Sequence, residues 1–164
     1  MTLNKTLYKD PKISSNPLTL RSKTNEIKCI YLRPYEFLQD LTEGTSYKLI
    51  DRYDSHPDAI EVHDDVMQYF GTFLCFLSNK ENLIRKIIIT QENTYGLHCV
   101  EAYVHGLKKI VMFDDYILCH NKKPMFSQPY KMIYMWPSII EKAWFKIKGS
   151  FSRRVEENSP SEIF

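Results

Sequence analysis

Residues 136–149 read Trp136-Pro137-Ser138-Ile139-Ile140-Glu141-Lys142-Ala143-Trp144-Phe145-Lys146-Ile147-Lys148-Gly149. Trp136, Ile139, Ile140, Ala143, Trp144 and Ile147 recur at the spacing that puts side chains on one face of an α-helix. Pro137 falls in the first turn, where its missing N–H costs nothing, and Gly149 stands just past the end. The spacing predicts a helix whose apolar stripe faces a core.

Working outward, Val66, Phe70, Phe73, Leu74 and Leu77, widened by Met67 and Cys75, predict a second buried helix. Leu83, Ile84, Ile87 and Ile88 suggest a third, capped at Asn79 and followed by Glu81. After Gly96 the period becomes strand-like. His105-Gly106 separates the runs 97–104 and 107–113 into a β-hairpin that Asp114-Asp115 closes. Ile27–Leu32 reads as a strand ended by Arg33-Pro34. Residues 39–65, with Gly44 and the Ser55-His56-Pro57-Asp58 turn signal, read mostly as loop. Residues 116–135, with Pro124 and Pro129, read as an irregular connection. The first 26 residues carry Pro11 and Pro17 among polar residues and read as an extended arm lying on something. The organisation expected is an arm, 1–26, and one α+β lobe, 27–164.

Composition narrows the classes. At 164 residues, 43% hydrophobic and 13% aromatic, the chain suits one packed domain or one lobe. A formal net charge of +2 with interspersed signs gives no field that argues for nucleic acid or a membrane surface, and Lys108-Lys109, Lys122-Lys123 and Arg153-Arg154 read as solvated surface. Cys29, Cys75, Cys99 and Cys119 lack metal-motif spacing and disulfide-scaffold density, so reduced thiols are expected. The amino terminus does not look like a signal peptide, and no segment has a membrane span's apolar length, so a soluble, cytoplasmic chain is expected. Ser159-Pro160-Ser161-Glu162 reads as a helix start at which the chain stops, the expectation being a truncated domain.

The stretch Phe113-Asp114-Asp115, then Phe126, then Trp136 to Phe151 closely resembles the calpain family of papain-fold cysteine proteases. The family pattern is an Asp-Asp after a strand, an apolar-aromatic position, and Trp-x-x-Leu-Leu-Glu-Lys-Ala-Tyr-x-Lys-x-x-Gly-x-Tyr. Tyr31-Leu32-Arg33-Pro34 resembles the family's Trp-x-Arg-Pro, Tyr8-Lys9-Asp10-Pro11 its Phe-x-Asp-Pro, and Ser159 to Phe164 its Thr-Ser-Glu-Ala-Phe. The resemblance implies a papain-like cysteine protease fold, mainly the helical first lobe with its β-hairpin. It stops before the second lobe, which carries the family's histidine and asparagine.

A papain-type protease needs a thiolate at the start of a buried helix, a proton-accepting histidine and oxyanion donors. The family writes the first part as Gln-Gly-x-x-Gly-Asp-Cys-Trp. Counting back from Asn82-Leu83-Ile84, which resembles its Glu-Leu-Leu, the motif falls on Val62-His63-Asp64-Asp65-Val66-Met67-Gln68-Tyr69. The oxyanion glutamine then reads Val62, the nucleophile Gln68 and the tryptophan Tyr69. No cysteine lies between Cys29 and Cys75, so a register slip does not restore the nucleophile. The family's calcium ligands read Ala59 and Lys131, and a lysine repels a cation that needs oxygen ligands. No catalytic residue, metal or cofactor is expected. Cys75 as a displaced nucleophile is disfavoured two turns along an apolar helix, and Glu61, Asp64 and Asp65 read as a solvated loop. His98 and Cys99, next to each other in a strand, point to opposite faces and cannot share one ion.

The function expected is a catalytically inactive module that binds other proteins in a multi-protein assembly, with neither nucleic acid nor membrane insertion. Degenerate calpain-like proteins imply by association a cytoskeletal, ciliary or axonemal setting. The alternative is a regulatory pseudoprotease that modulates an active calpain-type relative. Activity through Cys75 is the third reading.

Overall fold

The computed structural model describes residues 7–12, 18–21, 26–38, 49, 60–62, 68–90, 95–125, 127–129 and 134–148. Helix α4 (Trp136–Lys148) occupies the span its periodicity predicts. Every residue from Trp136 to Phe145 is buried, however, including Glu141 and Lys142, so α4 is enclosed on its charged side as well as its apolar one. Its apolar side meets α2 (Gln68–Ser78), where Phe70, Leu74 and Leu77 are buried and the Phe70 and Trp144 rings lie 5.3 Å apart. Val66 and Met67, placed in this helix by the sequence, lie outside the described residues.

Helix α3 (Glu81–Ile87) follows with Lys80, not Asn79, at its N-cap. Asn79 serves the preceding helix instead: its Nδ2 donates to the Cys75 carbonyl at 3.2 Å, satisfying an orphan acceptor at the end of α2. Ile88 caps α3 and bridges Val100, so the chain turns there from helix to sheet pairing.

The hairpin β4 (Leu97–Val104) and β5 (Leu107–Asp114) has the expected turn. His105 and Gly106 both adopt positive φ, 53° and 75°, as a two-residue turn matching the twist of its strands requires. Its inner face supplies Val100, Ala102 and Phe113 to the core.

Elsewhere the sequence reading needs correcting. The span 116–135 is not an irregular connection: it holds β6 (Ile117–His120), β7 (Lys123–Pro124) and β8 (Ser127–Pro129). The β6–β7 turn runs through Asn121 (φ 50°) and Lys122 (φ 60°), a left-handed pair without the glycine that marks such turns. The span 39–65, read as mostly loop, contains β3 (Ile60–Val62), paired antiparallel with β8. The predicted strand is β2 (Glu26–Leu32), flanked by β1 (Leu18–Arg21) and β6 in a sheet ordered β1-β2-β6-β7. Helix α1 (Pro34–Phe37) leaves β2 with Arg33 at its N-cap, whose N–H donates to Glu36 Oε2 at 2.6 Å. The described parts of the 1–26 stretch lie on this same chain, as β1 and as the docked segment 7–12. The segment 151–164, with its predicted helix start, lies outside the described residues.

Candidate functional site

Four elements, β3, β8, α4 and α2, adjoin one another where the family's reaction centre is expected. Strand β3 carries Val62 opposite Ser127 of β8. Strand β8 is fixed to α4 by two buried bonds: Ser127 N–H donates to Glu141 Oε2 at 2.9 Å, and Ser138 Oγ donates to the Ser127 carbonyl at 3.0 Å. Helix α2 is described from Gln68, and its first described core residue is Phe70. Strand β3 packs against α2 and pairs with β8, which in turn packs against α4. The side chains of Val62, Gln68 and Tyr69, and all of Ala59 and Lys131, lie outside the described residues. Glu61 is in β3 opposite Gln128, in a strand and not the loop expected; Asp64 and Asp65 are outside.

Glu141 is the most perturbed acid of this region. Burial drives its carboxyl from 4.5 up to about 8, and the Ser127 hydrogen bonds pull it back only in part. It is therefore protonated in neutral solution and grips β8 without carrying a charge.

Burial favours the neutral forms of Cys29, Cys99, Cys119 and His98. Cys75, on the second turn of α2, is half-buried, and its carbonyl accepts from Ser78 Oγ at 2.7 Å. Burial raises the thiols of Cys29 and Cys99 and drives Cys119 up to about 12, away from thiolate character. His98 is buried, with Nδ1 3.3 Å from Thr90 Oγ1; burial first, and then the Lys142 charge, push its imidazole down to about 3. Cys99 beside it is half-exposed, as alternation along a strand requires. Among the described residues no three His, Cys, Asp or Glu side chains cluster closely enough to hold a metal ion.

A second constellation escaped the sequence reading: a buried ion network on the far side of α4. Asp114 accepts from Lys142 Nζ and from the Asp10 N–H, the latter at 2.7 Å. Asp115 pairs with Arg33, whose second amino group donates to the Tyr8 carbonyl at 2.6 Å and whose guanidinium lies 4.3 Å from the Tyr116 ring centre. Lys146 Nζ reaches Asp10 and the Met112 carbonyl. Burial raises the Asp115 carboxyl, with Arg33 and Lys142 opposing; burial lowers Lys142, with Asp114 opposing. Gly96 lies against the Arg33–Asp115 pair at φ +66°, and a Cβ there would fall on Arg33 Nη1 and within 2.8 Å of Asp115 Oδ1. The signal available beforehand was Asp114-Asp115 at the end of a core strand together with a charged residue, Lys142, between Ile140 and Ala143 of a buried helix.

The profile described as calpain family cysteine protease matches residues 8–163. The chain belongs to the calpain family. Two similar relatives, the calpain-type cysteine proteases DEK1 of Zea mays and ADL1 of Oryza sativa subsp. japonica, are each 39% identical over 70 residues. DEK1 of Arabidopsis thaliana is 37% identical over 70 residues. Each match covers 42% of this chain and 3% of the relative, so this calpain-family domain corresponds to a small part of those proteins.

Proposed function

We propose that this calpain-family domain is a catalytically inactive, papain-like first lobe that serves as a protein–protein interaction component of a larger assembly. The observation that carries the reading is that the family's nucleophile position, counted back from Asn82-Leu83-Ile84, falls on Gln68 of α2, which is not a cysteine. A helix N-terminus favours a thiolate through its unpaired N–H groups and its dipole. A glutamine amide has no anionic form at neutral pH for the helix to stabilise, and its nitrogen pair is delocalised into its own carbonyl, which makes it a very poor nucleophile. The remaining support is chemical. Val62 has no side-chain donor for an oxyanion, and Cys75 stands about two turns into α2, away from its positive end.

The test is to expose the chain to a thiol-directed, epoxide-type protease inhibitor and weigh the intact protein. The expected result is no adduct beyond that formed by the unfolded chain. Specific labelling of Cys75, lost in Cys75→Ala and accompanied by cleavage of a generic protein substrate, would overturn the reading. The regulatory alternative is separated by adding the chain to an active calpain-type protease: an interaction component leaves the cleavage rate unchanged.

A further inference from the structure

Residues 8–10 are held by main-chain hydrogen bonds and by the buried Asp10 side chain. Tyr8 N–H donates to the Tyr95 carbonyl at 2.8 Å, and its own carbonyl accepts from Arg33 at 2.6 Å. Two residues on, the Asp10 N–H donates to Asp114 at 2.7 Å, and the Asp10 carboxylate, itself buried, accepts from Lys146. Lys9, Pro11 and Lys12 face solvent. This is how a receptor reads an extended peptide: backbone groups fix the register, and one charged pocket selects one side chain.

The charge of the seat points the same way. Arg33, Lys142 and Lys146 face Asp114 and Asp115 around it, three cations against two carboxylates, and Asp10 supplies the missing negative charge. With Asp10 withdrawn, Lys146 loses its carboxylate and the seat carries a surplus positive charge. Lys146 is only partly buried, and without Asp10 it keeps just the Met112 carbonyl as a partner, so the emptied seat attracts an extended segment that brings a carboxylate to the same place.

We propose that the seat formed by Arg33, Tyr95, Asp114 and Lys146 is a peptide-binding site, occupied here in cis by residues 8–10, and that an aspartate-bearing extended segment of a partner protein replaces them. The cis segment is then a built-in competitor. Its tether gives it an effective concentration in the millimolar range, so a partner segment gains the seat only with further contacts of its own or when the cis segment is weakened. The proposal gives the interaction reading a location and rests on that reading for its use. Its failure would remove this site and leave the argument from Gln68 untouched.

The experiment measures anisotropy of a fluorescent peptide spanning residues 7–12, titrated with the full chain carrying Asp10→Ala. Removing the cis carboxylate should strengthen binding by about tenfold or more over the unaltered chain, the scale of one charge-assisted hydrogen bond. Lys146→Met added to Asp10→Ala should abolish the gain, and a peptide with alanine in place of its aspartate should not bind. Equal binding of the two peptides, or no gain in a variant whose circular dichroism is native, would overturn the proposal. Should Asp10→Ala fail to fold, hydrogen exchange on the unaltered chain decides. The Tyr8 and Asp10 amides are expected to exchange at least tenfold faster than those of Val100 and Phe113, and exchange of all four only through global unfolding would overturn it.

Discussion

Replacing Glu141 by glutamine should flatten the dependence of stability on pH while leaving the fold intact. The carboxyl is buried in α4, accepts the Ser127 N–H at 2.9 Å, and holds its proton up to about 8 instead of 4.5. Between those two values the folded chain keeps a proton that the unfolded chain has released. Folding is therefore opposed increasingly as pH rises through this window, and the full contribution is present only below 4.5. At 1.36 kcal/mol per pH unit, the loss accumulated by pH 8.5 is ~5 kcal/mol. That is a large share of the 5–15 kcal/mol by which a domain of this size is stable. Glutamine keeps an acceptor for Ser127 and never ionises. Urea denaturation of both proteins at pH 5, 6.5 and 8.5 measures the effect, because contributions from other groups cancel in the difference. The wild-type chain should equal or exceed Glu141→Gln at pH 5 and fall several kcal/mol below it at pH 8.5. Parallel pH profiles would refute the reasoning, since they would mean that Glu141 ionises in the folded state without penalty.

His98 works in the opposite direction. Its folded value of about 3 lies below the ordinary 6.5, so stability is complete above 6.5 and is lost as pH falls toward 3; nitrogen-detected NMR should show the ring neutral at pH 5. Gly96→Ala should destabilise by roughly 3 kcal/mol, because a Cβ meets the Arg33–Asp115 pair at a left-handed φ, whereas Gly106→Ala, at φ +75° with open space around it, should cost about 1 kcal/mol in the same chemical melt. Lys142→Met should cost about 3–5 kcal/mol by leaving Asp114 buried without its cation, and adding Asp114→Asn should recover part of that loss in a double-mutant cycle.

The parts of the fold that were legible share one property, a signal contained within a dozen residues. Helix α4 announces itself through six apolar positions and a proline, and the β4–β5 hairpin through His105-Gly106 between two apolar runs. What was missed depends on partners far away in the chain. Strand β3 is three residues long and is a strand only because β8 pairs with it. The β6–β7 turn hid because Asn121 and Lys122 take a conformation that sequence reading assigns to glycine. The ion network joins Asp10 to Asp114, 104 residues apart, and Arg33 to Asp115, 82 apart, which no periodicity reports. At the candidate site, counting back from Asn82-Leu83-Ile84 puts the motif's nucleophile position on Gln68 of α2, but the side chains of Val62, Gln68 and Tyr69 lie outside the described residues.

Helix α4 is gripped on more than one side. Trp144 meets Phe70 of α2, Glu141 grips β8, and Lys142 and Lys146 reach the end of β5 and the segment 7–12. The residues that cannot be exchanged cheaply are the buried ions around α4. They hold the seat for residues 8–10, so a tightly paired part of the described fold is also the part proposed as a binding site.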